Sequence, residues 1–302
     1  MSKHIVVGAG AVGEAVTRLL LDRGEDVSVI SRSGSGPEEV RRIALDAGHT
    51  EALVAACAGA DAIYNCANPP YHRWPIDWPP IAESLIAAAQ SSGAVLATAG
   101  NLYPYGPVSA PMVEGLPDAA TGTKGEVRAA MTRRAFEEHA AGRIRAVEVR
   151  ASDYLGGMGV LSTVIVPALR NGRTAFFPAD LDAPHSFTFV SDVARLLVTL
   201  TGEPDSWGRI WHVPSEPAVP IRELARRAAD QMGQPSRLRA LPYAALWAAG
   251  LVNPFARELR ETQYQFRHPF VLDSAAAQQR FGLRPTPIDE AIAADLSRPT
   301  GP

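Results

Sequence analysis

Val6-Val7-Gly8-Ala9-Gly10-Ala11-Val12-Gly13-Glu14-Ala15-Val16 runs a short apolar strand straight into Gly-x-Gly-x-x-Gly and then into a helical pattern. In that setting Gly8 permits a tight turn, Gly10 lets the backbone approach a pyrophosphate unobstructed, and Gly13 lets the helix pack closely on the strand. Free N–H groups around Ala11 and Val12, and the positive end of the helix, then face the phosphates. Leu19, Leu20 and Leu21 continue the helix toward Gly24. The unit reads as the opening of a dinucleotide-binding fold; the plainer alternative is that the glycines serve only the turn.

Outward from this loop, strand-like runs at 4–7, 27–30, 43–45, 62–65, 95–98 and 146–149 alternate with helical patterns at 11–23, 49–58, 80–92 and 124–141. Six strands separated by helices, joined by right-handed crossovers, predict an α/β fold: a Rossmann-type doubly wound parallel sheet with helices on both faces. After Arg150 the rhythm breaks at Gly156-Gly157-Met158-Gly159. Helices are expected near 160–170, 191–201, 220–232, 243–250, 254–265 and 287–296, with strand pieces at 174–177, 186–189 and 209–213. The expected division is a dinucleotide-binding domain over 1–150 and a smaller C-terminal substrate lobe over 151–302, the strand at 209–213 returning to the sheet. The segment 66–80 holds five prolines and is expected to be irregular, at the crevice edge after the fourth strand.

The chain has 302 residues, 46% of them hydrophobic and 20% charged, with a net charge of −3. That composition suits a globular domain with a full core. No block of lysines and arginines points to nucleic acid or an anionic membrane surface, so a small-molecule substrate is the expected partner. Cys57 and Cys66 have no metal-ligand spacing and are expected as reduced thiols, which together with the lack of a signal-like or membrane-spanning run predicts a cytoplasmic location. The histidines at 4, 49, 72, 139, 185, 212 and 268 are scattered, so no metal site is expected, and there is no Gly-x-Ser-x-Gly elbow.

The second strand ends Val29-Ile30-Ser31-Arg32-Ser33, where an acid would accept the ribose 2′-hydroxyl of NAD. Arg32 instead offers a charged fork suited to a 2′-phosphate, and Ser31 and Ser33 add hydroxyls, so the expected cofactor is NADP(H). A solvated loop arginine is the alternative. Asp46, after the third strand, suits either the adenine amino group or a turn or helix cap.

The order of pieces resembles the extended short-chain dehydrogenase/reductase family, in the group called NAD-dependent epimerase/dehydratases. The resemblance rests on the glycine loop, Asp46-Ala47, Asn65-Cys66-Ala67, Leu102-Tyr103-Pro104-Tyr105-Gly106 and Glu114-Gly115-Leu116-Pro117. It continues through Arg150-Ala151-Ser152-Asp153-Tyr154-Leu155-Gly156 and Phe189-Val190-Ser191-Asp192-Val193-Ala194. It implies cofactor contacts at Asp46, Ala47, Cys66 and Ala67, and a homodimer pairing through the helices at 80–92 and 124–141. The loop departs from the family's usual Gly-x-x-Gly-x-x-Gly, which implies an atypical branch.

The family's chemistry normally rests on Ser/Thr, Tyr and Lys. Four positions before Tyr105-Gly106 stands Asn101, and the Tyr-Gly-x-x-Lys slot is filled by Lys124-Gly125-Glu126-Val127-Arg128. One reading is a reductase or epimerase whose proton transfer comes from Lys124, Tyr103 or Tyr105, with Arg128 contacting the cofactor ribose. A second is an NADP-binding regulatory protein without turnover; a third is a non-redox cyclase or lyase. Lys124 and Arg128 share a helix face beside the stripe Val127, Met131, Ala135, at the edge of the core, unless they belong to a solvated charged face. On the substrate side Tyr71, His72, Trp74 and Trp78 are expected as an aromatic wall or a lid anchor; the resemblance implies that Asp153, Tyr154 and His185 lie at the substrate lobe, His185 either as a proton relay or as a surface or internally satisfied histidine.

Overall fold

The computed structural model describes residues 1–298, so the end of the expected second lobe, 299–302, lies outside the described residues. Lys3–Val7 (β1), Asp26–Ser31 (β2), Arg41–Ala44 (β3), Ala62–Asn65 (β4), Val95–Asn101 (β5) and Arg145–Ala151 (β6) join Ile210–His212 in one seven-stranded sheet. The order is β3-β2-β1-β4-β5-β6 followed by Ile210–His212, and every pairing is parallel. These are the expected strands, the seventh included.

Side-chain alternation along β1 sends Val6 to one face and Ile5 and Val7 to the other, and each face has its own core. Val6, Val29 and Val149 pack with Val12, Val16 and Leu20 of helix Ala11–Asp22 (α1) and with Val193 and Leu197 of helix Val190–Thr201. Ile5, Ile63 and Leu96 pack with Leu53 of Thr50–Ala56 (α2) and Leu85 and Ile86 of Trp74–Ser92 (α3). Helix Thr123–Ala140 (α4) lies against α3 on that same face, where Arg134 bridges Glu83 at 2.9 Å. Burial on both faces is why these strands read as nearly continuous apolar runs.

The proline-rich segment corrects one expectation. Residues 66–80 are not all irregular, because α3 begins at Trp74 and carries Pro75, Pro79 and Pro80 within it. Pro75 sits in the first turn, whose N–H groups have no helical partner in any case, so it costs the helix nothing there. Trp74 and Trp78, one turn apart, are both buried on the helix's inner face, and that burial outweighs the bonds lost at Pro79 and Pro80. Helix Ala275–Phe281, which packs Ala277 beside Trp211, was also not expected.

Residues after 150 build a separate core in which Leu161, Ile165, Leu224, Ala228 and Ile292 meet. It joins the sheet body through the parallel pair Asp153–Leu155 and Phe187–Phe189. At the carboxyl ends of β1 and β4, neighbouring strands whose connections run to opposite sides of the sheet, the fold leaves its crevice.

Candidate active site

The glycine loop at the end of β1 separates structural need from ligand need. Gly8 has φ +109°, and a Cβ there would lie 2.5 Å from the Cys66 carbonyl oxygen. A Cβ on Gly13 would lie 1.9 Å from the Gly8 carbonyl oxygen. Both positions are therefore demanded by the protein's own packing. Gly10 has an ordinary φ of −77°, and a Cβ on it would meet nothing within 4 Å. It stands at the N-cap of α1 without a side-chain cap, so the first N–H groups of the helix point into open space.

That space is a cleft of about 640 Å³ running over the ends of β1, β2 and β4. Arg32 lies on its wall, exposed, with no hydrogen bond or ion pair to the described residues. The hydroxyls around it are ordered: Ser31 Oγ donates to the Ser35 carbonyl at 2.9 Å, and Ser33 Oγ to Ser35 Oγ at 2.9 Å. Asp46 lines the cleft, and its Oδ1 accepts the Gly48 N–H at 2.9 Å, so it closes a turn ahead of α2. Ala47, Cys66 and Ala67 line the same cleft. Burial pushes the Cys66 thiol up to about 12, which keeps it protonated.

Past Gly10, Cys66, Ala67 and Asn68 the cleft continues into a second cavity of about 340 Å³, and these four residues line both. Asn101 ends β5 there, its Oδ1 accepting the Tyr103 N–H at 3.1 Å. This bond sets the turn that presents Tyr103 to the cavity. The Tyr103 and Tyr71 hydroxyls are 2.8 Å apart, and Trp74 packs beside both rings. Burial holds the Tyr103 phenol well above its ordinary range, reinforced by Tyr71 and Asp153; Tyr71 is raised too, chiefly by burial. Asp153 lines the cavity and accepts the Val160 N–H at 3.4 Å, and burial pushes its carboxyl up to about 7. Tyr154, beside it, is raised to about 12 by burial.

Lys124 and Arg128 are both buried, 2% and 8% exposed, which removes the solvated-face alternative for them. Their directions differ. Lys124 Nζ donates to Glu258 at 2.7 Å and Glu261 at 3.0 Å, on helix Pro254–Thr262; it does not line the cavity continuous with the glycine-loop cleft, but a separate one of about 210 Å³ that Tyr103 also borders. Arg128 does line it; its Nη2 donates to the Ala99 carbonyl at 2.8 Å, and its guanidinium lies 4.7 Å from the Trp78 ring centre. Tyr105, another expected proton carrier, points elsewhere: its hydroxyl meets His212 Nε2 at 2.8 Å and Arg150 covers its ring.

Among the expected substrate residues, Tyr71, Trp74, Asp153 and Tyr154 converge on the cavity. His72 is exposed on the short turn before α3 and outside the lining, because that turn aims Tyr71 inward and the next side chain out. His185 is buried behind the wall, stacked on Phe266, with Nδ1 3.1 Å from the Gln265 carbonyl oxygen, and burial lowers it to about 4. The lining also contains Ser152, Met158, Gln265 and Phe270, none foreseen. Ser152 stood inside a quoted motif, beside Asp153, without being singled out; Gln265 and Phe270 lie over a hundred residues downstream with no local pattern to mark them. Trp78 sits beneath Arg128 instead of forming a wall.

A family model described as "Epimerase: NAD dependent epimerase/dehydratase family" matches residues 4–213. Among solved structures, MoeE5 in complex with UDP-glucose and NAD is 19% identical, with a TM-score of 0.82 over 98% of this chain and 97% of that one. Bordetella bronchiseptica WbmH in complex with NAD+ is 20% identical, with a TM-score of 0.77 over 98% and 97%. UDP-glucose 4-epimerase from Thermotoga maritima, with UDP-glucose, is 13% identical, with a TM-score of 0.80 over 97% of each chain. No curated protein matches the sequence. At these identities the structural likeness speaks for the fold.

Proposed function

The chain belongs to the NAD dependent epimerase/dehydratase family, and from that premise we propose that it is an NADP(H)-dependent oxidoreductase acting on a small carbonyl, imine or sugar-like substrate. In this reading Tyr103 carries the proton that the family's Tyr-x-x-x-Lys tyrosine normally carries. One observation bears most of the weight: the Tyr103–Tyr71 hydroxyl pair lies in a cavity continuous with the glycine-loop cleft. The open space at Gly10 supports a dinucleotide there, and unpartnered Arg32 with the neighbouring serines supports a 2′-phosphate over a 2′-hydroxyl. A bound nicotinamide supplies or accepts a hydride.

The protein's own contribution is position and proton transfer. Asn101 holds the backbone of Tyr103, and Tyr71 fixes the direction of its hydroxyl. A phenol raised by burial stays protonated at neutral pH, so it donates to a developing alkoxide or amine more readily than it abstracts. The site therefore favours reduction. Asp153 is the cavity group whose protonation changes near neutral pH, which suits it to resupply the proton. Lys124 has a structural part, tying α4 to helix Pro254–Thr262. The segment after 150 furnishes the substrate side through Asp153, Tyr154 and Gln265.

The test is loss of NADPH absorbance with a panel of ketones, enones and imines, comparing wild type with Tyr103→Phe. Loss of a general acid lowers turnover by about 100-fold or more, and NADPH affinity should stay within about threefold. An unchanged rate in Tyr103→Phe removes Tyr103 from the reaction. Tight NADPH binding with no turnover by wild type favours a regulatory protein instead.

A further inference from the structure

Arg128 is a buried cation whose surroundings leave it without an anion. Its Nη2 is spent on the Ala99 carbonyl, and its Nε has no partner. No carboxylate among the described residues lies within ion-pair distance of it. The acid nearest in charge effect, Glu148, is already engaged: Oε1 accepts Arg150 Nε at 2.9 Å, and Oε2 accepts the Thr132 hydroxyl. Arg150 in turn also holds Asp118 at 2.7 Å. Trp78 and Trp74 cover Arg128 with its guanidinium carbon 4.7 Å and 5.5 Å from their ring centres. Indole packing secures the plane of a guanidinium and leaves its edge N–H groups available.

That arginine lines the Tyr103 cavity, where it is the one cationic residue and Asp153 the one acid in the lining. The remaining polar lining is neutral, and it includes Ser152, whose buried Oγ also has no partner. Isolated buried charge is costly, and a planar fork is satisfied best by a carboxylate, which takes two parallel N–H bonds. We propose that Arg128 seats a carboxylate of the substrate, so that the compound reduced is a carbonyl or imine bearing a carboxylate. This rests on reading the cavity as the substrate site.

Benzoate and benzamide, equal in shape and different in charge, test it by calorimetry on the NADP+-saturated protein. Wild type should bind benzoate at least tenfold more tightly than benzamide. Arg128→Met should abolish the preference, Arg128→Lys should restore part of it, and NADP+ affinity should move less than threefold in both. Equal binding of the two probes by wild type, which needs no variant and no refolding, overturns the proposal. So does an Arg128→Met protein that keeps the preference and loses NADP+ tenfold, since Arg128 then serves the cofactor. Should wild type fail to bind NADP+, the functional reading fails separately, and the same benzoate preference in the cofactor-free protein still decides whether Arg128 seats a carboxylate.

Discussion

Substituting the three loop glycines one at a time should split the fold from the ligand. In Gly13→Ala the new Cβ would lie 1.9 Å from the Gly8 carbonyl oxygen, far inside van der Waals contact, so α1 must lift from β1. Overpacking of this kind costs on the order of 3 kcal/mol, which for a chain of this size lowers Tm by roughly 5–10 °C. Gly8→Ala meets the Cys66 carbonyl oxygen at 2.5 Å and must also adopt φ +109°, so it belongs with Gly13. Gly10→Val differs, because its Cβ meets nothing within 4 Å and its backbone is extended, φ −77° and ψ −176°. The fold loses only a good N-cap residue, about 1 kcal/mol and roughly 2–4 °C. A valine there projects into the space expected for the pyrophosphate, and a tenfold or greater loss of NADPH affinity corresponds to at least about 1.4 kcal/mol. Thermal melts followed by circular dichroism, with fluorescence titration of NADPH, read both quantities on the same samples. Gly10→Val with wild-type affinity would mean that no pyrophosphate lies over this turn, and a Gly10→Val melt lowered as far as that of Gly13→Ala would mean that the fold itself needs glycine there.

Arg32→Glu should reverse the cofactor preference: a charge-assisted contact is worth about 1.5–3 kcal/mol, so NADPH affinity falls roughly 10- to 150-fold, NADH affinity rises or holds, and Tm changes little because Arg32 makes no hydrogen bond or ion pair with the described residues; parallel titrations check it. His185 and His212 have folded pKa values lowered by burial to about 4 from 6.5. The unfolded chain therefore takes up protons first as pH falls, and their contribution, complete above pH 6.5, is lost between about 6.5 and 4. His212→Gln should flatten this acid limb in melts from pH 7 to 4, and an undiminished limb would show that other groups cause it. The Asp153 carboxyl, raised to about 7 by burial, runs the other way: stability is fully present below pH 3.8 and declines as pH rises toward 7. Asp153→Asn should raise Tm at pH 8 and leave it nearly unchanged at pH 4.

The sheet was legible because a doubly buried strand must be apolar and because Gly8 and Gly13 each have a steric duty in the turn from β1 into α1. Val6 and Val7 announce β1, and Gly8 and Gly13 have the roles their spacing predicts. The region after Cys66 was harder. Its prolines argue locally for irregular chain, whereas two tryptophans four residues apart carry the tertiary signal for a helix, and tertiary burial won. Helix phase placed Lys124 and Arg128 on one face at the core's edge, and both are buried. What phase could not show is that Glu258 and Glu261, over 130 residues away, claim Lys124, while no carboxylate among the described residues pairs with Arg128. Gln265, which lines the cavity with Tyr103, reaches the site through a similarly long connection and leaves no local mark.

The decisive measurement is a crystal structure of the protein with NADP+. The 2′-phosphate is expected on Arg32, the pyrophosphate over Gly10 at the start of α1, and nicotinamide C4 facing the Tyr103 hydroxyl across a gap that a small carbonyl compound fills. A 2′-phosphate that leaves Arg32 in solvent, or a nicotinamide with C4 turned away from Tyr103, would contradict the proposed function.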